Sequence, residues 1–481
     1  MNYGIVIRIL GNLLFFVALA MLFPLGIAFF TNGPDTMAFA YSILLTCVVG
    51  LLMSLFPERS QKIRAREALA IVTFGWILAA IFGAFPFLFS GAATSVVDAF
   101  FESMSGLTTT GSTILNNLEL MPQGILFWRS LTHWLGGMGI LVLTLAILPL
   151  LGVGGFQIYK AETPGPLADK LVPRMKDTAK ILYLVYGGLT LIQTLLLLAG
   201  GMNLYQAVVH AFSTVGTGGF SPYTASVGFF NSAYIHYIIA FFMLISGINF
   251  SLFYEAYKKR FRDIWTNSEL RLYLGIILIC TLVITLALLH SSVYQSVIET
   301  VRHAFFQVVS FITTTGFTTT NYENWPAFCK TILFFLMFVG GSAGSTAGSI
   351  KIIRLLLVLK LVRREIGRIL HPRAHIPIQL NGKVVGNDVA ISVISFYGLY
   401  IFLFVIASIL LSIEGIGFLS ATSAAAAALG NVGIGFEFIG PTQTFSAFSA
   451  SSKLLLTFLM LLGRLELFTV FLLFVPSFWR D

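Results

Sequence analysis

Charge is scarce in this chain. Asp, Glu, Lys and Arg make up only 10% of its 481 residues, against about 25% in ordinary soluble domains. Too few polar side chains remain to coat a water-facing surface, so a soluble enzyme or binding module is excluded. Cysteine is also sparse. Cys47, Cys280 and Cys329 lie in or near apolar stretches with no metal-ligand spacing, which argues against a disulfide framework or a zinc site. Catalytic equipment is missing too. The seven histidines form no metal set, and no nucleophile motif stands out. The glycine-serine run GGSAGSTAGS lacks the lysine-serine ending and the preceding strand of a nucleotide loop. The chain therefore reads as a non-enzyme with no covalently bound cofactor.

What is abundant is apolar sequence, at 57%. Runs near 20 residues recur at about 5–30, 38–56, 69–90, 125–150, 180–200, 233–256, 272–290, 327–350, 388–412 and 452–476, each long enough to cross a hydrocarbon core of about 30 Å. They are too continuous for alternating barrel strands, so the expected fold is an all-α membrane bundle of ten transmembrane helices. The first run is long and lacks a small-residue cleavage site, so it reads as a retained span.

Basic residues orient the bundle. One set of loops and ends carries 24 of the 29 Lys and Arg, in segments around Arg59–Arg66, Lys160–Lys180, Lys258–Arg262 and Lys360–Lys383. By the positive-inside bias this side is cytoplasmic and holds both termini. The opposite side carries Asp35, Asp98, Glu102, Glu119, Glu299, Glu323, Glu414 and Glu437. They are expected either to form an acidic outer vestibule that concentrates cations or to serve as ordinary solvated loop charges.

Four weaker apolar stretches lie between crossings, near 95–107, 203–215, 298–312 and 418–430. Each is too short to span and suits a re-entrant half helix. Each is followed by a small-residue loop: SGLTTTGST, FSTVGTGGFS, SFITTTGFTTT and ALGNVGIGF. Matching glycines are read at Gly111, Gly218, Gly316 and Gly433. The unit of helix, half helix, loop and helix thus recurs at 67–157, 178–258, 270–370 and 385–478, after a leading pair in 1–66, and such repetition points to one pseudo-symmetric pore. A cation crossing lipid must exchange its waters for protein oxygens, which a ring of backbone carbonyls supplies. Glycine permits the backbone angles this needs, and threonine adds a hydroxyl as a further oxygen.

This loop pattern resembles the Trk/Ktr/HKT superfamily of potassium transporters, and the leading helix pair looks like the membrane subunit of the bacterial Trk system. The resemblance covers essentially the whole chain. It implies a potassium-binding filter of Thr109, Thr110 and Gly111; Gly216, Thr217 and Gly218; Thr314, Thr315 and Gly316; and Asn431, Val432 and Gly433. The fourth loop departs most, with Asn-Val in place of Thr-Thr. In plant relatives a serine in the first loop goes with sodium preference, so Gly111 favours potassium. The resemblance also implies a gate beneath the filter, a loop within 340–350 that breaks the eighth span. Its residues would be Gly340, Gly341, Gly344, Ser345, Thr346 and Gly348, followed by Lys351, with Arg464 of the last span facing the ion path. Glu466, two residues on, is not expected to be Arg464's direct partner.

Further implications are uptake of potassium, and of rubidium, across a bacterial inner membrane, a homodimer, and a cytosolic ring of TrkA-type nucleotide-binding subunits, with nucleotide acting on that partner only. The four repeats run in parallel, unlike the inverted halves common in secondary transporters. A potassium symporter coupled to protons or sodium is the alternative reading.

Overall fold

The computed structural model describes all residues except 58–62, 140–174, 375, 382 and 480–481; the expected basic loop Lys160–Lys180 and the end of the fourth span thus lie largely outside the described residues. The apolar runs form helices, as they must where no water can satisfy the backbone. The leading pair is α1 (Tyr3–Phe30) and α2 (Thr36–Ser54). They cross closely at Gly11 and Gly50, where a side chain on Gly11 would meet the Gly50 carbonyl at 2.8 Å. Small residues at such a crossing let backbones approach in lipid. Asp35, at the turn between them, accepts from the Ile125 amide at 3.0 Å and ties the pair to the first repeat.

The first repeat is α3 (Ala65–Phe89), the half helix α4 (Val96–Leu107) and α5 (Gln123–Gly137). The second is α6 (Met175–Ala199), the half helix α7 (Leu204–Val215), α8 (Ala233–Ser246) and α9 (Phe250–Tyr257). After the short surface helix α10 (Phe261–Thr266), the third repeat has α11 (Ser268–His290), the half helix α12 (Val297–Ile312), α13 (Ala327–Val339) and α14 (Ile352–Leu370). A two-stranded hairpin, β1 (Gln379–Leu380) and β2 (Lys383–Val384), leads to the fourth repeat. That repeat is α15 (Asn387–Ser412), the half helix α16 (Phe418–Leu429), α17 (Ala450–Leu465) and α18 (Leu467–Phe471).

Among the described residues, six helices are long and apolar enough to cross a membrane, and two further helix pairs are sharply bent spans. The bends correct the expectation of continuous helices at 233–256 and 452–476. The first breaks between Ser246 and Phe250 by 93°, the second at Glu466 by 115°. At the second break Glu466 has φ +61°, a conformation an L-residue avoids within a helix.

Two of the four half helices, α4 and α7, start on side-chain caps that fix their entry into the bundle, whereas α12 and α16 start at Ser296 and Gly417 without one. Ser95 accepts the Asp98 amide, and Asn203 and Gln206 form a reciprocal capping box, each satisfying otherwise orphaned helix donors. All four half helices end at the centre, buried on nearly every side: Ala424 to Leu429 and Val308 to Ile312 are 0–1% exposed.

Candidate functional site

The four half helices end alike. Their last residues are followed by one in the left-handed region: Thr109 (φ +53°), Thr217 (+53°), Thr314 (+56°) and Asn431 (+53°). The next amide reaches back to the helix: Thr110 to Ser105 O at 2.9 Å, Gly218 to Ser213 O at 2.8 Å, Thr315 to Ser310 O at 2.9 Å and Val432 to Ala427 O at 2.8 Å. This is a Schellman closure, normally made with glycine. For β-branched threonine the left-handed region is a genuine outlier, and strain of this kind gathers at functional sites.

Two residues further on, the backbone is left-handed again, at Gly111 (φ +85°), Gly219 (+80°), Gly316 (+79°) and Gly433 (+83°). The structural register therefore corrects the second loop by one residue. Thr217, Gly218 and Gly219 are equivalent to Thr109, Thr110 and Gly111. Gly216 is the helix C-cap with φ −71°, equivalent to Thr108, Thr313 and Gly430.

The four glycines close a ring. A Cβ on Gly111 would overlap the Gly218 carbonyl oxygen, one on Gly219 the Thr315 oxygen, one on Gly316 the Val432 oxygen and one on Gly433 the Thr110 oxygen. Each loop thus lies against the carbonyl of the next, and the fourth returns to the first. Glycine is required twice over here, for the backbone angle and for the approach of the neighbour.

The threonine hydroxyls do not all serve as extra oxygens, contrary to the sequence expectation. Thr110 Oγ1 bonds Thr108 Oγ1 and Thr315 Oγ1 bonds Thr313 Oγ1, each at 2.8 Å. Thr108 and Thr313 donate in turn to Met104 O and Val309 O at 2.7 Å. These hydroxyls face the half helices. Asn431, at the most divergent loop, donates to Thr110 Oγ1 at 3.0 Å and Met460 O at 2.9 Å, so its amide stitches the fourth loop to the first.

A cavity of about 210 Å³ opens on one side of the ring, bordered by Gly111, Gly219, Gly316 and Gly433. Its described lining holds no carboxylate and one guanidinium, that of Arg129. Of the outward-side acids, Glu102, Asp98, Glu119 and Glu323 are held in contacts of their own rather than lining this cavity. Glu102 pairs with Arg129 at 2.7 Å, both fully buried, and Asp98 pairs with Lys453 at 2.6 Å. Glu119 accepts the Thr224 amide at 2.8 Å, and Glu323 that of Glu437 at 2.8 Å. Arg129 also lies 4.0 Å over the Phe220 ring, whose other neighbour is the stacked ring of His133 at 4.1 Å.

On the other side of the ring, the chain between α13 and α14 leaves the helix at Gly340 (φ +74°), as the glycine-serine composition predicts, and is buried. Its contacts reach three repeats. The Gly348 amide donates to Thr314 Oγ1 at 2.7 Å, directly under the third loop. Thr346 Oγ1 donates to Val215 O and Ser246 O at 3.1 and 3.2 Å. The Ser342 amide donates to Gly247 O at 2.9 Å, and the Phe250 amide to Gly344 O at 3.0 Å, so the loop is seated in the break between α8 and α9. The Ala343 amide donates to Glu269 Oε1 at 2.7 Å. Gly341 O and Ser345 Oγ are also used, by the Ile352 amide and by a bond to Ser342 O. Lys351, with φ +71°, is buried and donates to Ala347 O.

Arg464 joins this loop to the ring. Its guanidinium donates to Thr109 Oγ1 at 3.2 Å, to Thr346 O at 2.9 Å, to Gly137 O at 2.9 Å and to Gly136 O. Glu466 does take a different partner, Arg354 of α14, at 2.6 Å. The seat at Gly247–Phe250, the Glu269 anchor and the Glu466 break carry no motif in the sequence. Only the shared serine at 105, 213 and 310, five residues before each amide that closes the helix, signals the true register of the second loop.

Comparison with known proteins agrees with this architecture. The family profile for TrkH, described as cation transport protein, matches residues 35–480. The chain is 40% identical to the Trk system potassium uptake protein TrkH of Salmonella typhimurium, over the full length of both. It is 34% identical to TrkG of Escherichia coli, over 99% of both chains. The crystal structure of the potassium transporter TrkH from Vibrio parahaemolyticus superposes with a TM-score of 0.89 at 38% identity, covering all of both chains. By sequence over its whole length and by fold, this chain belongs to the TrkH family of cation transport proteins.

Proposed function

We propose that this protein carries potassium into the bacterial cytoplasm across the inner membrane, as the membrane subunit of a Trk system. The observation that carries the reading is the closed ring of four loops, in which every glycine abuts a carbonyl of its neighbour. A dehydrated cation needs such a ring of oxygens, and non-helical backbone is tolerated at this depth only where it lines a wet path or is buried in protein. The filter residues are Thr109, Thr110 and Gly111; Thr217, Gly218 and Gly219; Thr314, Thr315 and Gly316; and Asn431, Val432 and Gly433. They belong to repeats bounded near 67–157, 178–258, 270–370 and 385–478. The basic loops face the cytoplasm with both termini. Expression in cells lacking their own potassium uptake systems tests this. Growth at low potassium and rubidium influx are the expected results, and neither would occur if the ring served only packing.

The buried segment 340–351 is the gate. Thr314→Val keeps the β-branched shape but removes the acceptor of the Gly348 amide. A typical hydrogen bond contributes about 1 kcal/mol, so the closed state should lose roughly fivefold in population and rubidium flux should rise by a similar factor. Flux at or below the wild-type level would detach Thr314 from the gate.

The reading extends to a homodimer and to a TrkA-type cytosolic nucleotide-binding partner. Exposed Arg363 and Arg368 on α14 suit an acidic partner surface. Arg363→Glu with Arg368→Glu is expected to weaken co-purification of that subunit and to reduce the loss of binding that added salt causes in the wild type. Retention equal to wild type would move the interface off α14.

A further inference from the structure

The gate loop is anchored at both ends of a single cytoplasmic connection. On one side it is seated on Gly247 and Phe250, at the head of α9. On the other it is held by Glu269, in the first turn of α11. Between these anchors runs the segment that leaves α9 at Tyr257 and enters α11 at Ser268. This connection turns back at Lys259, whose φ is +60°.

Its exposed composition is specific. Tyr257 is 84% exposed, Phe261 57% and Trp265 68%. They recur every four residues, and Lys258, Lys259, Arg260 and Arg262 stand exposed among them. Only two carboxylates lie in the same stretch, Glu255 and Asp263, and Glu255 is 3.4 Å from Arg260. Ile264 turns the other way, into the core of the second and third repeats, so α10 lies flat with its aromatic and basic side outward. Tyrosine and tryptophan favour the headgroup level, where their rings are amphipathic. Basic residues beside them are attracted to anionic lipid.

We propose that residues 257–265 bind anionic phospholipid of the inner leaflet, and that this binding biases the gate loop through Gly247, Phe250 and Glu269. The aromatic spacing favours lipid over a soluble acidic protein, since three large rings held at the membrane surface can bury themselves in the headgroup region without any partner. The gating half rests on the proposed function above; the binding half does not.

The test uses the full chain in vesicles of phosphatidylcholine, alone or with one-third phosphatidylglycerol. Native mass spectrometry of protein extracted from them counts retained phosphatidylglycerol, and rubidium influx reports the gate. Retention should fall by roughly fivefold for each cation removed in Lys258→Gln and Arg262→Gln, and Trp265→Ala should lower it without a change of charge. Wild-type influx should depend on phosphatidylglycerol, and that dependence should vanish in the same variants. Glu269→Gln should keep lipid retention but lose the lipid dependence of influx. Unchanged retention in both the charge and the tryptophan variants would overturn the site, as would loss of a co-purifying soluble protein with lipid retention intact. Influx indifferent to phosphatidylglycerol in the wild type would overturn the coupling. An absence of wild-type influx in both vesicle types would instead remove the conduction reading, while retention still decides the lipid site.

Discussion

Gly219→Ala is expected to destroy potassium selectivity beyond rescue, whereas Gly218→Ala is expected to be partly rescued by His133→Ala. Alanine at position 219 meets two penalties. Its φ of +80° is costly for any L side chain, by about 1–2 kcal/mol, and its Cβ would overlap the Thr315 carbonyl oxygen. That oxygen is backbone of the neighbouring loop and cannot step aside without opening the ring. The sum exceeds the 1.4 kcal/mol of a tenfold effect, so the ratio of rubidium to sodium influx should fall more than tenfold. Gly111→Ala, Gly316→Ala and Gly433→Ala should behave alike, since each faces a carbonyl in the same way. Gly218 differs. Its φ is not positive, and a Cβ there would meet the ring of His133. His133→Ala removes that ring, at the cost of its stack on Phe220. Rescue of Gly219→Ala by His133→Ala, or equal damage from both glycine changes with no rescue of either, would return the second loop to the register in which Gly218 is the matching glycine.

The one-residue slip in that loop shows where sequence reasoning stops. The half helices were legible because length and apolarity limit what a stretch between two crossings can be. Their predicted limits, near 95–107, 203–215, 298–312 and 418–430, lie close to Val96–Leu107, Leu204–Val215, Val297–Ile312 and Phe418–Leu429. The second loop, TVGTGGF, offers three glycines, and spacing alone does not say which one carries the positive φ that faces the next carbonyl. That choice depends on a contact with the Thr315 carbonyl of the third loop, distant in the chain and outside any local propensity. The break at Glu466 was hidden for a similar reason. LGRLELF reads as continuous helix, and what opposes it is the pairing of Glu466 with Arg354, a residue of another repeat. The outer carboxylates were visible but their roles were not, because a side count of charges does not reveal that Glu102 is spent on Arg129 and Asp98 on Lys453. The glycine-serine break at Gly340, by contrast, was plain, since poor helix formers in lipid need a local reason.

Arg464→Ala is expected to raise rubidium flux by tenfold or more, with the preference for potassium over sodium kept. The guanidinium is the point where three parts meet: the first loop through Thr109, the gate loop through Thr346 O, and the end of α5 through Gly136 and Gly137. Hydrogen bonds to a charged donor contribute about 1.5–3 kcal/mol each. Loss of the Thr346 bond alone should then shift a two-state gate by more than tenfold. A fixed cation under the filter also repels potassium, so its removal lowers a barrier as well as freeing the loop. Arg464→Lys separates these effects. It keeps the charge but cannot reproduce the fork of a guanidinium, so flux raised by lysine reports the loop, and flux raised only by alanine reports the barrier. Shortening the loop within 342–348 should raise flux in the same way. If Arg464 and the loop stabilise one closed state, the combined variant should show less than the sum of the two free-energy effects. Full additivity would mean that Arg464 acts only as an electrostatic barrier. Unchanged or reduced flux in membrane-inserted, folded single variants would leave 340–351 as packing between the third repeat and its neighbours.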